Sequence, residues 1–269
     1  DALETLMQEE RIRISLDTTI ERIAVEDGRT TGVVLEDGRR LSADVVVSNM
    51  DPVHVYRTML PPEIPSSTAK LRSRHGRLSM GLYVLFFGAK RTWPEVAHHT
   101  VWFGERYKGL LTDIFHKKVL AEDFSLYVHR PTATDPSFAP EGCDSFYVLC
   151  PVPNLAGGQD WSVEGPKLRD RIVTALDETM LPGLSEAITA QVARTPEDFR
   201  GDYLCGDGAG FSLSPFFSQS AWFRFHNRAE GVDGLYFVGA GTHPGAGLPG
   251  VVSSAKVLDT VVPAPVGAP

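Results

Sequence analysis

Apolar and polar positions near the start of the chain follow two different periods. Residues 2–10 carry Leu3, Leu6 and Met7 at helical spacing, which predicts the end of an amphipathic helix. Residues 11–16 alternate between polar and apolar side chains, which predicts a short strand.

Short apolar segments after residue 19 predict a β-meander. Its strands are expected at Ile20–Glu26, residues 31–36 and residues 40–48. The sequence Glu-Asp-Gly-Arg occurs twice between them, and Asp-Gly favours a tight hairpin because glycine adopts the positive φ that the turn requires. Residues 44–47 are rich in valine, which predicts a strand buried on both faces.

The middle of the chain combines apolar strands with one long helix. After a helix that begins at Pro52 and a proline-rich loop, buried strands are expected at residues 79–90, 124–131 and 144–153.

The long helix is expected at residues 161–180. Leu168, Ile172 and Leu176 share one face, and Pro166 lies in the first turns. The helical pattern is expected to continue over residues 181–194 after a Pro-Gly break.

A glycine-rich segment near the end joins a predicted strand at residues 234–240 to a predicted helix at residues 251–262. A glycine-rich turn before a helix offers backbone N–H groups and a positive dipole end to an acceptor-rich ligand. The spacing is not the GxGxxG of dinucleotide-binding turns. From the pattern alone, a cofactor-contacting loop and a purely structural turn remain equal alternatives.

Composition narrows the class of partner and compartment. The chain has 269 residues and a formal net charge of −8, which argues against a nucleic-acid partner. Three cysteines without a CxxC pair predict free thiols in a reducing cytoplasm. No apolar run reaches the length of a membrane span. The absence of an initiator Met predicts a fragment of a longer protein.

Few side chains point to catalysis or metal binding. His98 and His99 are adjacent, so they do not share a helix face, and no carboxylate or third histidine is expected beside them; no metal site is therefore expected. His243 lies in the glycine-rich loop, and a hydrogen bond to backbone is favoured over acid–base chemistry. Arg224 and Arg228 are open to two interpretations, phosphate pairing or a cap on a domain junction. Residues 206–210, Gly-Asp-Gly-Ala-Gly, are expected to form a flexible loop rather than a phosphate loop.

Several blocks of sequence resemble the bacterial phytoene desaturases, which are flavin-dependent carotenoid desaturases. They are AHHTVWFGERY at 97–107, VLAEDFSLYVHRP at 119–131, APEGCDSFYVLCPVPNL at 139–155, DWSVEGPKLRDRI at 160–172, SQSAWFRFHNR at 218–228 and GLYFVGAGTHPGAGLPGVVSSAK at 234–256. The blocks occur in the family's order and extend over essentially the whole chain.

The resemblance implies an α/β fold with an α+β substrate domain, in a two-domain, amine-oxidase-like flavoprotein whose FAD domain is of the Rossmann type. Residues 1–51 would be the middle segment of the FAD-binding domain and residues 52–224 the substrate-binding domain. Residues 225–262 would close the FAD-binding domain, and residues 263–269 would form a tail. The family's N-terminal GxGxxG unit is missing here, so the chain is expected to be a C-terminal part that binds FAD poorly alone.

The resemblance also assigns cofactor contacts. The ribityl chain and phosphates would lie by Gly239, Ala240, Gly241 and Thr242. The flavin ring would lie by Gly250, Val251 and Val252, and the adenine by the backbone of Ile20. Many relatives carry an Asp where this chain has Ala240, which leaves the ribityl hydroxyl contact unassigned. No catalytic side chain is assigned.

The implied reaction is desaturation of phytoene toward neurosporene or lycopene in carotenoid biosynthesis. A hydride equivalent would pass to the flavin, and quinone or oxygen would accept the electrons. The long apolar polyene implies an apolar tunnel and peripheral contact with the inner membrane from the cytoplasm. A sister carotenoid desaturase or isomerase, or a flavin-free lipid-binding remnant, remains an alternative.

Overall fold

The chain mixes helices with three separate sheets. The computed structural model describes residues 2–65 and 67–264. The strands in this part are β1 (Ile20–Glu26), β2 (Arg29–Leu35), β3 (Arg40–Ser42), β4 (Val46–Ser48), β5 (Gly81–Ala89), β6 (His99–Trp102), β7 (Leu126–His129), β8 (Asp144–Val152), β9 (Ile188–Arg194) and β10 (Leu235–Phe237). The mixture confirms the α/β class.

The described α-helices differ widely in length. They are α1 (Ala2–Glu9), α2 (Pro52–His54), α3 (Thr68–His75), α4 (Tyr107–Thr112), α5 (Trp161–Glu178), α6 (Leu184–Ala187), α7 (Pro196–Asp202) and α8 (Leu248–Val261). Single π-helical turns extend α2 and α4 at Val55–Met59 and Asp113–Lys117. Short 3₁₀ turns lie at Pro131–Ala133, Pro136–Phe138, Leu155–Gly157, Gly206–Gly208, Phe217–Gln219 and Ala221–Phe223.

The largest sheet is antiparallel and has the order β6-β7-β8-β5-β9. Alternate residues of β8 are buried, as expected for a strand with one covered face. The apolar face of α5, formed by Leu168, Ile172 and Leu176, belongs to the same fully buried core as β5, β7 and β8. The face of α5 predicted from the spacing of its apolar residues is therefore the face that packs against the sheet.

Two smaller sheets and a second core position the other end of the molecule. Strands β1, β2 and β3 form an antiparallel sheet, and β4 pairs with β10 in parallel register. A second core gathers Val53, Tyr56, Phe225 and Phe237, and Tyr56 contacts both phenylalanine rings. This core therefore packs residues that are nearly two hundred positions apart in sequence against one another.

The strand predicted at residues 11–16 is wrong. These residues form no strand, and Ile12, Ile14 and Leu16 are exposed. Alternation alone does not make a strand, because a strand needs a hydrogen-bonded neighbour and none of the described segments pairs with this one.

The single strand predicted at residues 40–48 is divided between two sheets. Strand β3 pairs with β2, whereas β4 pairs with β10. Residues 44–47 are not buried on both faces, since Val47 is 45% exposed. The reason is that β4 has only β10 as a neighbour within the described residues.

The helix predicted over residues 181–194 is also wrong, except for the single turn of α6 at Leu184–Ala187. Gly183, at φ +81°, precedes the short α6, and β9 follows and pairs with β5. The β-branched Ile188, Thr189 and Val192 favour the strand that pairing with β5 completes. Strand β6 and helices α3, α4 and α7 were not predicted, and residues 265–269 of the expected tail lie outside the described residues.

A buried ion pair fastens β7 and β8 to the loops beside them. Asp144 accepts two hydrogen bonds from Arg130, at 2.9 and 3.1 Å, one from Thr132 at 2.6 Å and one from the Trp93 N–H at 2.8 Å. Both charged side chains are buried. Removing one partner would leave an uncompensated buried charge.

We expect Asp144→Ala to lower the free energy of unfolding by about 3–5 kcal/mol. Denaturant unfolding followed by circular dichroism measures the change. Asp170→Ala is the matched control, because its carboxylate pairs with Arg169 and is 68% exposed, and it should leave the unfolding midpoint unchanged. Equal midpoints for the two variants would contradict this role of Asp144.

Candidate cofactor site

A cleft of about 660 Å³ opens where β4 and β10 end. The two strands are parallel, so their carboxyl ends meet at one edge, which is where α/β sheets bind ligands. The lining comes from β1 and the turn before it, the segment after β4, residues 202–212, the segment after β10 and the first turn of α8: Thr18, Thr19, Ile20, Asn49, Met50, Asp51, Asp202, Tyr203, Leu204, Cys205, Gly210, Ser212, Ala240, Gly241 and Val251.

The turn after β10 is shaped by close backbone approach. Gly239 has φ +99° and donates its N–H to the Ser254 hydroxyl at 2.8 Å, and that hydroxyl donates to the Val251 carbonyl at 2.6 Å. A Cβ on Gly239 would overlap the Asn49 side chain, and one on Gly241 would lie 2.5 Å from Pro52 Cδ. These glycines bring the backbone close to the cleft.

Helix α8 presents its N-terminus beside this turn. It begins three residues earlier than predicted, with Pro249 in a first turn that suits proline. Its N-cap is Gly247, and none of the described side chains caps it. The uncapped N–H groups and the helix dipole favour an electron-rich ligand atom here, and Val251 of the first turns lines the cleft.

Asp51 joins three separate segments at the floor of the cleft. Its carboxylate accepts hydrogen bonds from the Val53 N–H at 3.1 Å, the Gly206 N–H at 3.0 Å and the Ser212 hydroxyl at 2.8 Å. Asp51 is the N-cap of α2, directly before Pro52. The Gly206 bond also shows that residues 206–210 pack against the cleft rather than form a free loop.

Arg224 holds the other wall through backbone carbonyls. Its Nε and Nη2 donate to the Ala240 carbonyl at 3.1 and 2.8 Å, and its guanidinium also reaches the Leu213 and Phe211 carbonyls. Burial lowers the pKa of Arg224, and the charge of Asp51 opposes that shift. These contacts favour the structural interpretation of Arg224. Arg228 forms an exposed pair with Asp233.

Four of the eight cofactor contacts expected from the resemblance line the cleft. They are Ile20, Ala240, Gly241 and Val251. The other four lie around it: Gly239 faces Asn49 and Ser254, Thr242 is wholly buried, Gly250 lies against the Gly245 carbonyl, and Val252 is 63% exposed.

Unpartnered polar atoms support a ligand at this turn. Thr242 Oγ1 and His243 Nδ1 are buried and have no hydrogen-bond partner among the described residues. Buried polar atoms normally have partners. The His243 backbone N–H donates to the Phe225 carbonyl at 2.8 Å, so the backbone hydrogen bond favoured for this residue is made by its main chain and not by Nδ1 of its ring. Together with the glycine turn and the α8 N-terminus, these atoms fit a long cofactor with polar and ring portions, such as FAD.

Sequence reasoning missed Asp51, Ser212 and Cys205 as cleft residues. The one local signal was Asp51-Pro52 after an apolar strand, which is typical of a helix start. No signal connects Asp51 to Ser212, because 161 residues separate them.

The expectation that no third histidine lies near His98 and His99 is wrong. His129 lies opposite His99 in the β6–β7 ladder, and its Nε2 is 2.7 Å from His98 Nε2. Burial, followed by the neighbouring charges of His98 and His99, lowers the pKa of His129. Sequence spacing cannot show this, since the contact depends on strand register.

In the part of the chain that the structure describes, every helix is too short or too polar to cross a bilayer.

Comparisons with known proteins identify the family of the chain. The model of the family "Flavin containing amine oxidoreductase" matches residues 1–257. The chain is 49% identical to the "Phytoene desaturase (neurosporene-forming)" of Rhodobacter capsulatus, over 98% of this chain and 51% of that protein. It is 48% identical to the "Phytoene desaturase (lycopene-forming)" of Pantoea ananas, over 90% of this chain and 50% of that protein. The chain thus spans about half the length of the curated relatives it matches.

A solved structure supports the fold. An oxidoreductase from Methanosarcina mazei superposes with a TM-score of 0.64 at 18% identity, covering 96% of this chain and 53% of that one. At this identity the likeness concerns the fold alone.

The reactivity of the Cys205 thiol depends on its position beside Asp51 at the floor of the cleft. Burial, with a smaller effect from the Asp51 carboxylate, raises the pKa of Cys205 from 9.0 to about 11. We expect the rate of iodoacetamide alkylation to rise about tenfold per pH unit between about pH 8 and pH 10, without a plateau, because only the thiolate reacts. Mass spectrometry in a Cys143→Ser, Cys150→Ala background isolates this thiol.

Asp51→Asn serves as the comparison for that titration. Removing the negative charge should move the inflection of the rate profile to lower pH. A plateau by about pH 9 in the chain that retains Asp51, or identical profiles with and without its charge, would contradict the placement of Cys205 beside Asp51.

Proposed function

The chain belongs to the flavin containing amine oxidoreductase family, and from this we propose that it is part of an FAD-dependent phytoene desaturase of carotenoid biosynthesis. The proposal rests on a sequence identity of 48–49% to phytoene desaturases over 90–98% of the chain. The product would be neurosporene or lycopene, the two named for those relatives.

We assign FAD to the cleft described above. Bound FAD would supply a two-electron acceptor for hydrogen removed from the substrate. The uncapped N-terminus of α8 would stabilise negative charge at the ring edge, since the dipole and free N–H groups favour an electron-rich atom. Ala240 and Gly241 would contact the ribityl chain and phosphates, and Ile20 the adenine end.

The four expected contacts that do not line the cleft, Gly239, Thr242, Gly250 and Val252, are also assigned roles in FAD binding. The Thr242 hydroxyl is buried and has no partner among the described residues, and we assign it a hydrogen bond at the ribityl and phosphate end. Gly239 and Gly250 would let the backbone approach FAD closely. Val252, which is exposed and follows Val251, would contact the flavin ring. Asp51, Arg224 and Ser254 are positioning residues, because their hydrogen bonds hold the backbone of the cleft.

Residues 1–51 and 225–262 would then belong to the flavin domain, and residues 52–224 to the substrate domain. The presence of two separate cores supports two units: one core lies under the five-stranded sheet, and the other lies beside β4 and β10 and also includes Val53, Tyr56 and Leu213 from residues 52–224.

A hydrocarbon substrate fits the apolar surfaces of the chain. A groove of about 500 Å³ on the five-stranded sheet is lined by Phe86, Phe87, Phe146, Tyr147 and Val192, among others. The exposed Phe217 and Trp222 add apolar surface near the flavin turn, where Trp222 contacts His243. An apolar polyene has no polar handle, so apolar contact must align it. Peripheral membrane contact and a quinone or oxygen acceptor complete the proposal.

The activity is tested by expressing the complete gene that contains this chain in a bacterium that accumulates colourless phytoene. We expect coloured extracts whose absorption bands count the conjugated double bonds of the product. Colourless extracts from cells with well-expressed, flavin-loaded protein would contradict phytoene as substrate and favour a sister polyene. Colourless extracts with soluble, flavin-free protein would favour the lipid-binding alternative.

The cofactor assignment is tested separately with Val251→Asp in the same full-length protein. A carboxylate at the α8 N-terminus would place negative charge and bulk where the flavin ring is assigned. We expect at least tenfold weaker FAD binding, which corresponds to about 1.4 kcal/mol, measured by flavin fluorescence titration.

Val163→Asp is the matched control, because Val163 is also a valine near the start of a helix, but it is exposed and lies on α5, away from the cleft. It should bind FAD normally. Equal affinities in the two variants, with native circular dichroism for both, would overturn the assignment.

A further inference from the structure

Three histidines converge at the edge of the five-stranded sheet, away from the residues that line the flavin cleft. One ring nitrogen from each of His98, His99 and His129 lies within 4.8 Å of the other two. From this geometry we propose that the three side chains form a binding site for a borderline divalent metal ion, Zn²⁺ in particular. The inference is independent of the proposed desaturase activity.

The distances fit a metal with little rearrangement. Zn²⁺ binds histidine nitrogen at about 2.0–2.1 Å, so two nitrogens on one tetrahedral ion lie about 3.3 Å apart. His98 Nε2 and His129 Nε2 are 2.7 Å apart, and the widest pair in the cluster is within 4.8 Å. Shifts of about 1.5 Å or less would bring every pair to the tetrahedral separation.

The orientation of two rings is already set by hydroxyl groups. His98 Nδ1 is hydrogen-bonded to the Thr134 hydroxyl, and His99 Nδ1 to the Tyr127 hydroxyl at 2.7 Å. The Nε2 atom of His99 is left for a ligand, whereas His98 Nε2 would exchange its 2.7 Å contact with His129 Nε2 for the ion. Metal-binding histidines commonly have their second nitrogen fixed in this way, which orients the ring toward the ion.

The backbone beneath the cluster is held rigidly. His99 and His129 are paired across β6 and β7, and the His98 carbonyl accepts the Arg130 N–H at 2.8 Å. Arg130 is itself fixed by its buried ion pair with Asp144. Ligands on a paired, anchored ladder lose little freedom when they bind an ion.

The ligand set selects the kind of metal. Three neutral imidazoles without a carboxylate suit Zn²⁺, Cu²⁺ and Ni²⁺, whereas Mg²⁺ and Ca²⁺ prefer oxygen. His99 is exposed, so a water molecule can take the fourth position. The ion would connect β6, an edge strand of four residues, to β7 and thereby stabilise that edge.

The test uses the full-length protein, purified without a polyhistidine tag and stripped with a chelator. Isothermal titration with Zn²⁺ should show one site. We expect His129→Asn to weaken it at least tenfold. His116→Asn is the control, because His116 is exposed and lies outside the cluster, and it should bind as the unaltered protein does.

Thermal unfolding provides a second readout that does not depend on the same variant. Saturating Zn²⁺ should raise the melting temperature of the unaltered protein and of His116→Asn, but not that of His98→Asn or His99→Asn, because binding to the native state alone stabilises it. If Zn²⁺ binds and stabilises His129→Asn as well as the unaltered protein, the adjacent pair alone accounts for binding and the three-histidine site is rejected. No saturable binding to the unaltered protein would also reject it.

Discussion

The buried carboxylate of Asp51 is the constraint on which the cleft depends. A charge taken out of water must be compensated, and here two backbone N–H groups and one hydroxyl do so. Those donors come from the start of α2, from Gly206 and from Ser212. The need to satisfy one carboxylate therefore fixes the end of β4 against a segment more than 150 residues away.

The opposite wall follows from the parallel pairing of β4 with β10. That pairing brings the turn after β10 beside Asp51, and Arg224 then holds the Ala240 carbonyl while Ser254 holds the Gly239 N–H. Since Ser254 belongs to α8, the same contacts fix the helix N-terminus at the cleft. The polar groups that would meet a cofactor are thus mostly backbone, and the side chains act behind them.

Local patterns predicted the elements whose partners are close or whose periodicity is strong. Strand Ile20–Glu26 and the apolar face of α5 were predicted correctly, because hairpin turns and helical spacing depend on residues that are close in sequence. Residues 11–16 and 181–194 were misassigned because their state depends on the presence or absence of a pairing strand. At the site, Ala240, Gly241 and Val251 were expected from the family resemblance, because the glycine pattern alone left a cofactor loop and a structural turn equally open. Asp51 with Ser212, and His129 with His98, depend on long-range register that no local pattern carries.

The central claim is that the cleft between β4, β10 and α8 holds the flavin. A crystal structure of the full-length protein with FAD tests it most directly. We expect the ribityl chain beside Ala240 and Gly241 and the edge of the flavin ring at the N-terminus of α8, next to Val251. A flavin bound outside this cleft, with the hydrogen bonds of Asp51 and Arg224 still in place, would contradict the claim.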